Sequence, residues 1–256
     1  MSEWVYHLSV PWMATLVFAV AAIMTWLIHV TVTRLAVDRR ARAFKAVSPA
    51  LLSPLGIVYA LLVAFLSGQV WNDSQRAVVE VTREASALRS VDLLAAGFSP
   101  DLATRLHELL RNYVTQTTDE EWPAMANQGA TLAVAPAPLS EALRLSLTAV
   151  PTTDGQRVAQ REMVTALEQA LDARRQRIII SRSSINGVKW AGLIGVAIVV
   201  LIAIAIVHCD NRPGATIAMG LFAAAVAISV VLIASHARPF TGQISVGPGL
   251  LQEIVR

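Results

Sequence analysis

The amino-acid sequence predicts an all-α integral membrane protein with four transmembrane helices. Spans two and three are expected to continue as long stalk helices into a helical extramembrane domain. Three observations carry this prediction. Hydrophobic residues make up 55% of the 256 residues and charged residues 15%, against roughly 45–50% and about 25% in soluble domains. Four stretches carry no Asp, Glu, Lys or Arg over a length sufficient to cross a bilayer, which takes about 20 residues of helix. Between Trp71 and Gly97 no Gly or Pro interrupts the chain, so the second span has nothing to stop it. This composition excludes a disordered chain. The single cysteine, Cys209, excludes a disulfide framework and a multi-cysteine zinc site. The net charge is +3, and the arginines lie scattered between apolar blocks. Without one basic patch, nucleic-acid binding is not expected.

The first charge-free stretch runs from Leu8 to Thr33, the second from Ala46 to Asn72, the third from Trp190 to Cys209 and the fourth from Pro213 to Ala237. Helices are expected because an unpaired backbone group in lipid costs several kcal/mol. The first stretch is too long for a cleavable signal, and Glu3 stands where such signals are basic. Four alternating crossings place Trp4, Trp12, Trp71 and Trp190 at one face, as an aromatic belt does. Both termini and the segment between spans two and three share that face. The 34–45 loop holds Arg34, Arg39, Arg40, Arg42 and Lys45 against Asp38 alone. Short basic loops stay in the cytoplasm, which puts the 73–189 segment on the extracytoplasmic side. The expected organisation is 1–72 (spans one and two with the basic loop), 73–189 (helical extramembrane domain), 190–237 (spans three and four) and 238–256 (C-terminal tail).

Residues 73–189 contain 13 basic and 14 acidic residues, the balance of a solvated helical domain. Ala77, Val81, Ala85, Leu88 and Val91 recur at helical spacing, continuing span two to about Ala96. Ser99-Pro100-Asp101 marks a new helix start, with a capping Ser, Pro in the first turn and an acid beside it. Leu102, Leu106, Leu109, Leu110 and Tyr113 form its buried stripe. Residues 133–138 are expected as a loop and 151–155 as a turn. From Gln156 onward, Val164, Leu167, Leu171, Arg174, Ile178, Ser181, Ile185 and Val188 alternate three and four apart in a heptad-like seam. No breaker precedes span three, so one helix of more than about 70 Å is expected.

Chemistry-bearing motifs are absent: there is no phosphate-binding glycine loop, G-x-S-x-G or H-E-x-x-H. An enzyme, a cofactor and a metal site are therefore not expected. Adjacent residues on a helix point about 100° apart, so Glu120 and Glu121 read as a solvated pair near a loop. His208, Cys209 and Asp210 read as the end of a span. No carboxylate lies within a span, which disfavours proton coupling, and His29 reads as an interfacial packing residue. Span two is the most patterned segment. Gly56, Ala60, Ala64 and Gly68 form a ridge of small residues, suited to close helix packing. Val58, Leu62, Phe65, Gln69, Asn72 and Arg76 fall within a sector of about 80° set off from that ridge. A sector that is apolar at mid-membrane and polar toward one mouth fits a hydrophobic gate. It fits equally a helix whose apolar residues touch lipid.

The run Gly56-Ile57-Val58-Tyr59-Ala60-Leu61-Leu62-Val63-Ala64-Phe65, followed by Val70-Trp71, resembles the signature of the bacterial bestrophin-like domain family. The resemblance continues in Glu84-Ala85-x-Ala87-Leu88, Glu121-Trp122-Pro123-Ala124-Met125, Ala173-Arg174-Arg175-x-Arg177 and Arg238-Pro239-Phe240-x-Gly242, with Pro248 beyond. One departure is that Ser183 to Trp190 replaces a proline-containing stretch, so the helix is expected to run straight there. The family is named for bestrophins, pentameric anion channels with four spans per subunit and a pore lined by the second. The resemblance implies a multi-pass protein of the inner membrane, a homo-oligomer favoured as a pentamer, with small inorganic ions as permeants. It implies a constriction at Leu62 and Phe65, polar rings at Gln69, Asn72 and Asp73, and a positive ring at Arg76. Bestrophins keep the domain between spans two and three in the cytoplasm, opposite to the side the 34–45 loop indicates. The alternative function is a non-conducting membrane scaffold or sensor that signals through its stalk domain.

Overall fold

The computed structural model describes residues 3–36, 43–44 and 46–255. Arg39, Arg40, Arg42 and Lys45, with Asp38, lie outside the described residues. The described chain is helical without strands: α1 (Val10–Leu35), α2 (Leu52–Ala95), α3 (Pro100–Gln116), a π-helical turn (Thr117–Glu121), α4 (Trp122–Ala126), α5 (Ala137–Thr148), α6 (Asp154–Ser181), α7 (Gly187–Val207), α8 (Arg212–His236) and α9 (Gly249–Gln252). Four helices are long and apolar enough to cross a membrane: α1, α2 with the short turn from Pro49, α7 and α8. The chain divides into two compact units, 1–71 with 184–237 and 72–183 with 238–256.

In the first unit α1 packs on α8 and α7, and α7 packs on α8. Leu193, Ala197, Val200, Met219, Ala223 and Ile233 form its core. Alanines at the crossings let the backbones approach closely, which is how apolar helices gain contact energy in lipid. Tyr59 of α2 meets Phe222 edge-on, and Trp71 stacks on His236. Trp4 and Trp12 are exposed as a belt requires, whereas Trp190 is buried.

In the second unit the rest of α2 packs with α3, α5 and α6 around Val81, Leu88, Leu106, Tyr113, Leu139 and Leu167. The start signals hold. Ser99 Oγ accepts from the Leu102 amide and Pro100 opens α3. Thr153 Oγ1 caps α6 by accepting from the Gln156 amide, and Gln156 Oε1 accepts from the amide of Thr152, one residue before the cap. Residues 238–255 fold onto this unit: Phe240 and Leu251 are buried, and Thr241 Oγ1 donates to the Ala126 carbonyl. Gly242 stands at φ 89°, a conformation natural to glycine alone.

Span two does continue as one helix: α2 has 44 residues, a contour of about 66 Å at 1.5 Å per residue. The expectation for span three is overturned. The 156–209 helix is not continuous, since α6 ends at Ser181 and α7 begins at Gly187. The Arg182 and Ser183 amides bond only three residues back, to Ile179 and Ile180, and the helix unwinds. Asn186 Oδ1 then caps α7 by accepting from the Lys189 amide at 2.9 Å. Ser183 donates to Asp73 Oδ2 at 3.0 Å. The break thus falls at a Ser/Asn/Gly cluster and needs no proline. Of the expected seam, Leu167, Arg174, Ile178 and Ser181 are buried, but Val188 beyond the break is exposed.

Candidate pore-lining face and a buried charge cluster

The membrane-crossing part of α2 has one packed face and one open face. Tyr59, Leu66 and Val70 are buried in the first unit, while Val58 and Phe65 are exposed, Phe65 at 68%. Leu62 is half-buried against the core. Lys189 Nζ, in the first turn of α7, donates to Gln69 Oε1 at 2.6 Å, which brings a positive charge to that level. In the second unit Asn72 and Arg76 are exposed, and Asp73 is half-buried beneath the Ser183 hydroxyl. On the small-residue ridge, Ala60, Ala64 and Gly68 are exposed and Gly56 is half-buried. A methyl group added at Gly56 or Gly68 would meet nothing within 4 Å. The polar sector and the ridge are therefore flanks of one face that a single chain leaves largely uncovered.

The second unit holds a cluster that sequence reasoning missed. Glu84 of α2 and Arg177 of α6 face each other with both side chains 0% exposed. Arg177 Nε donates to Glu84 Oε2 at 2.7 Å, and its Nη2 donates to Glu84 Oε1 at 3.1 Å and to Glu121 Oε1 at 2.7 Å. The Tyr113 hydroxyl donates to Glu84 Oε1. Arg174, one turn before Arg177, donates from Nε to Glu121 Oε2 at 2.8 Å. The guanidinium of Arg177 lies 4.7 Å from the ring centroid of Trp122, a cation–π distance. Trp122 in turn donates from Nε1 to the Val246 carbonyl and meets Phe240 edge-on. Two arginines balance two glutamates, so the buried charge sums to zero.

Burial, with the Glu84 charge adding to it, pushes the Tyr113 phenol well above its ordinary value. Burial is the largest single influence on Arg177 and lowers its value, but Glu84, Tyr113 and Glu121 together outweigh it and hold the guanidinium above its ordinary value. Glu121 is thus not the solvated residue expected from its neighbour Glu120. The π-helical turn accommodates one extra residue and re-aims the side chains that follow. Glu121 comes to rest 14% exposed between two arginines.

A signal did exist. Glu84 falls on the same apolar stripe as Ala77, Val81, Leu88 and Val91, where a lone charge demands a partner. Arg174 interrupts the α6 seam for the same reason. The short motifs outside span two, far apart in sequence, meet in this cluster: Glu84, Glu121 with Trp122, Arg174 with Arg177, and Phe240.

No curated protein and no solved structure matches the chain. The model of the bestrophin-like domain matches residues 15–251, which takes in most of α1, the other three apolar helices and the charge cluster. With the match covering nearly the whole sequence, the chain belongs to the bestrophin-like domain family, a channel-like family of membrane proteins.

Proposed function

We propose that this chain is one subunit of a homo-oligomeric ion channel whose pore is lined by α2. The observation that carries the proposal is the open face of that helix. Val58 and Phe65 remain uncovered while Tyr59, Leu66 and Val70 on the opposite face are buried. Leu62 and Phe65 form the hydrophobic constriction, which gates by excluding water. Gln69, Asn72 and Asp73 line the polar mouth, and Arg76 forms a ring beyond them. Lys189 on Gln69 and the exposed Arg76 bring positive charge to that mouth, opposed by the carboxylate of Asp73. The ridge of Gly56, Ala60, Ala64 and Gly68 receives the neighbouring subunit, since small residues permit close approach.

In this reading residues 1–72 and 190–237 occupy the bilayer of the inner membrane. The 73–189 domain stands outside it, on the extracytoplasmic side that the basic 34–45 loop indicates. The remainder of α2 is the stalk, because its contour exceeds the roughly 30 Å hydrocarbon core. Residues 238–256 follow as the C-terminal segment. Family likeness favours five subunits.

Native mass spectrometry of the protein kept in lipid tests the assembly. A closed ring of four or more copies supports a pore on the symmetry axis. A monomer or dimer leaves α2 no axis to line and returns the chain to the scaffold alternative.

A further inference from the structure

We infer that Lys189, which lies outside the pore helix, is the residue that gives the mouth of the channel a preference for small anions. The inference rests on the reading of α2 as pore lining and names the ion which that pore selects. Lys189 stands in the first turn of α7 and is half-buried. Its Nζ reaches across to α2 and donates to Gln69 Oε1 at 2.6 Å. The partner is an amide, which holds the ammonium in place without neutralising it; a carboxylate would do both. Among the described residues Lys189 has no ion pair. Helix energetics do not account for the charge either. The N-terminal end of a helix is the positive pole of its dipole, so a cation there is unfavourable. The first turn of α7 has no acidic residue to offset it. A lysine kept in such a place and tied to an uncharged side chain delivers an uncompensated positive charge to α2.

Three charges belong to the mouth: Lys189, Asp73 and Arg76. Their distances from the constriction decide between them. Gln69, which holds Lys189, follows Phe65 by about 6 Å along α2, whereas Asp73 follows it by about 12 Å and Arg76 by about 16 Å. Coulomb energy falls with distance, and salt at physiological strength screens charges separated by more than about 8 Å. Of the three, Lys189 alone falls within that range. Asp73 and Arg76 lie beyond it and have opposite signs, so their effects at Phe65 largely cancel. The Asp73 carboxylate is also engaged by the Ser183 hydroxyl at 3.0 Å, and Arg76 is exposed to solvent. An ion sheds water as it enters a hydrophobic constriction, and the nearest fixed charge it meets there is positive.

The test is the reversal potential of the reconstituted oligomer in planar bilayers under a potassium chloride gradient. Wild type should reverse toward the chloride equilibrium potential. A unit charge about 6 Å away changes the occupancy of a monovalent ion about threefold in water, in opposite senses for anion and cation. The chloride-over-potassium permeability ratio should therefore fall about tenfold in Lys189→Gln. Lys189→Arg should keep the wild-type preference. Gln69→Glu supplies the missing carboxylate and should lower the ratio to a similar extent with Lys189 still in place, which separates the charge from any packing role of the lysine. Native mass spectrometry confirms that each variant keeps the wild-type subunit number. A wild type that prefers potassium, or a ratio unchanged in both Lys189→Gln and Gln69→Glu, would overturn the inference. Either result comes with measurable current and leaves the channel proposal standing. An assembled protein that passes no current in any form defeats the channel reading itself, and this inference with it.

Discussion

Arg177→Met should be the most damaging single substitution in the second unit. The arginine is completely buried, and three of its contacts fall on acids: two on Glu84 and one on Glu121. Methionine matches its length but supplies no charge. Glu121 keeps Arg174, whereas Glu84 keeps only the Tyr113 hydroxyl in a site closed to water. Breaking a buried pair on one side costs about 3–5 kcal/mol, because the remaining charge is stranded. At about 4 °C per kcal/mol for a unit of this size, Tm should fall by about 12–20 °C. The assay is thermal unfolding in detergent, followed by far-ultraviolet circular dichroism. The double variant Arg177→Met with Glu84→Gln removes the stranded charge and leaves an amide for Tyr113. It should be more stable than the single variant, since a neutral replacement of both partners costs less than the loss of one. A single variant within about 1 kcal/mol of wild type, or a double variant no better than the single, would refute the view that this cluster holds the unit together.

Two further predictions concern the same unit and its boundary. The phenol of Tyr113 is held above its ordinary value, so its stabilising effect is complete below about pH 10 and is lost as pH rises beyond that. A melting series from pH 8 to 11.5 should show a steep decline above pH 10 that Tyr113→Phe reduces; equal declines in the two proteins would exclude Tyr113 as the cause. Asn186→Ala removes the cap of α7 and should cost about 1 kcal/mol, measured by denaturant unfolding, whereas Asn186→Ser should retain most of the stability.

The elements whose causes are local could be read from the sequence. The spans follow from missing charges. The unbroken α2 follows from the lack of Gly and Pro after Trp71, and the start of α3 follows from Ser99 and Pro100. The features that were missed depend on contacts between distant residues or on side chains bonding to backbone. The break between Gln156 and Trp190 had a local signal in Ser183-Ser184 and the Asn186-Gly187 pair, which the unbroken apolar spacing on either side masked. Past the end of α6, Asn186 caps the next helix and Ser183 reaches Asp73, 110 residues away in sequence. Glu84 and Arg177 are 93 residues apart, and charged residues on a helix are ordinarily read as a solvated face. The orientation of Glu121 depends on a π-helical turn that no residue pattern marks. The 238–256 segment reads as a tail until Phe240 is seen against Trp122.

A pore lined by α2 is tested most directly by current through the reconstituted oligomer in planar bilayers, comparing wild type with Phe65→Ala. Phe65 is the most exposed large side chain on the proposed constriction. Trimming it widens the hydrophobic level and makes it easier to wet. Discrete openings in the wild type and a larger unitary conductance in Phe65→Ala are the predicted result. An assembled protein that carries no current at any voltage in either form, or a Phe65→Ala conductance identical to wild type, would contradict it.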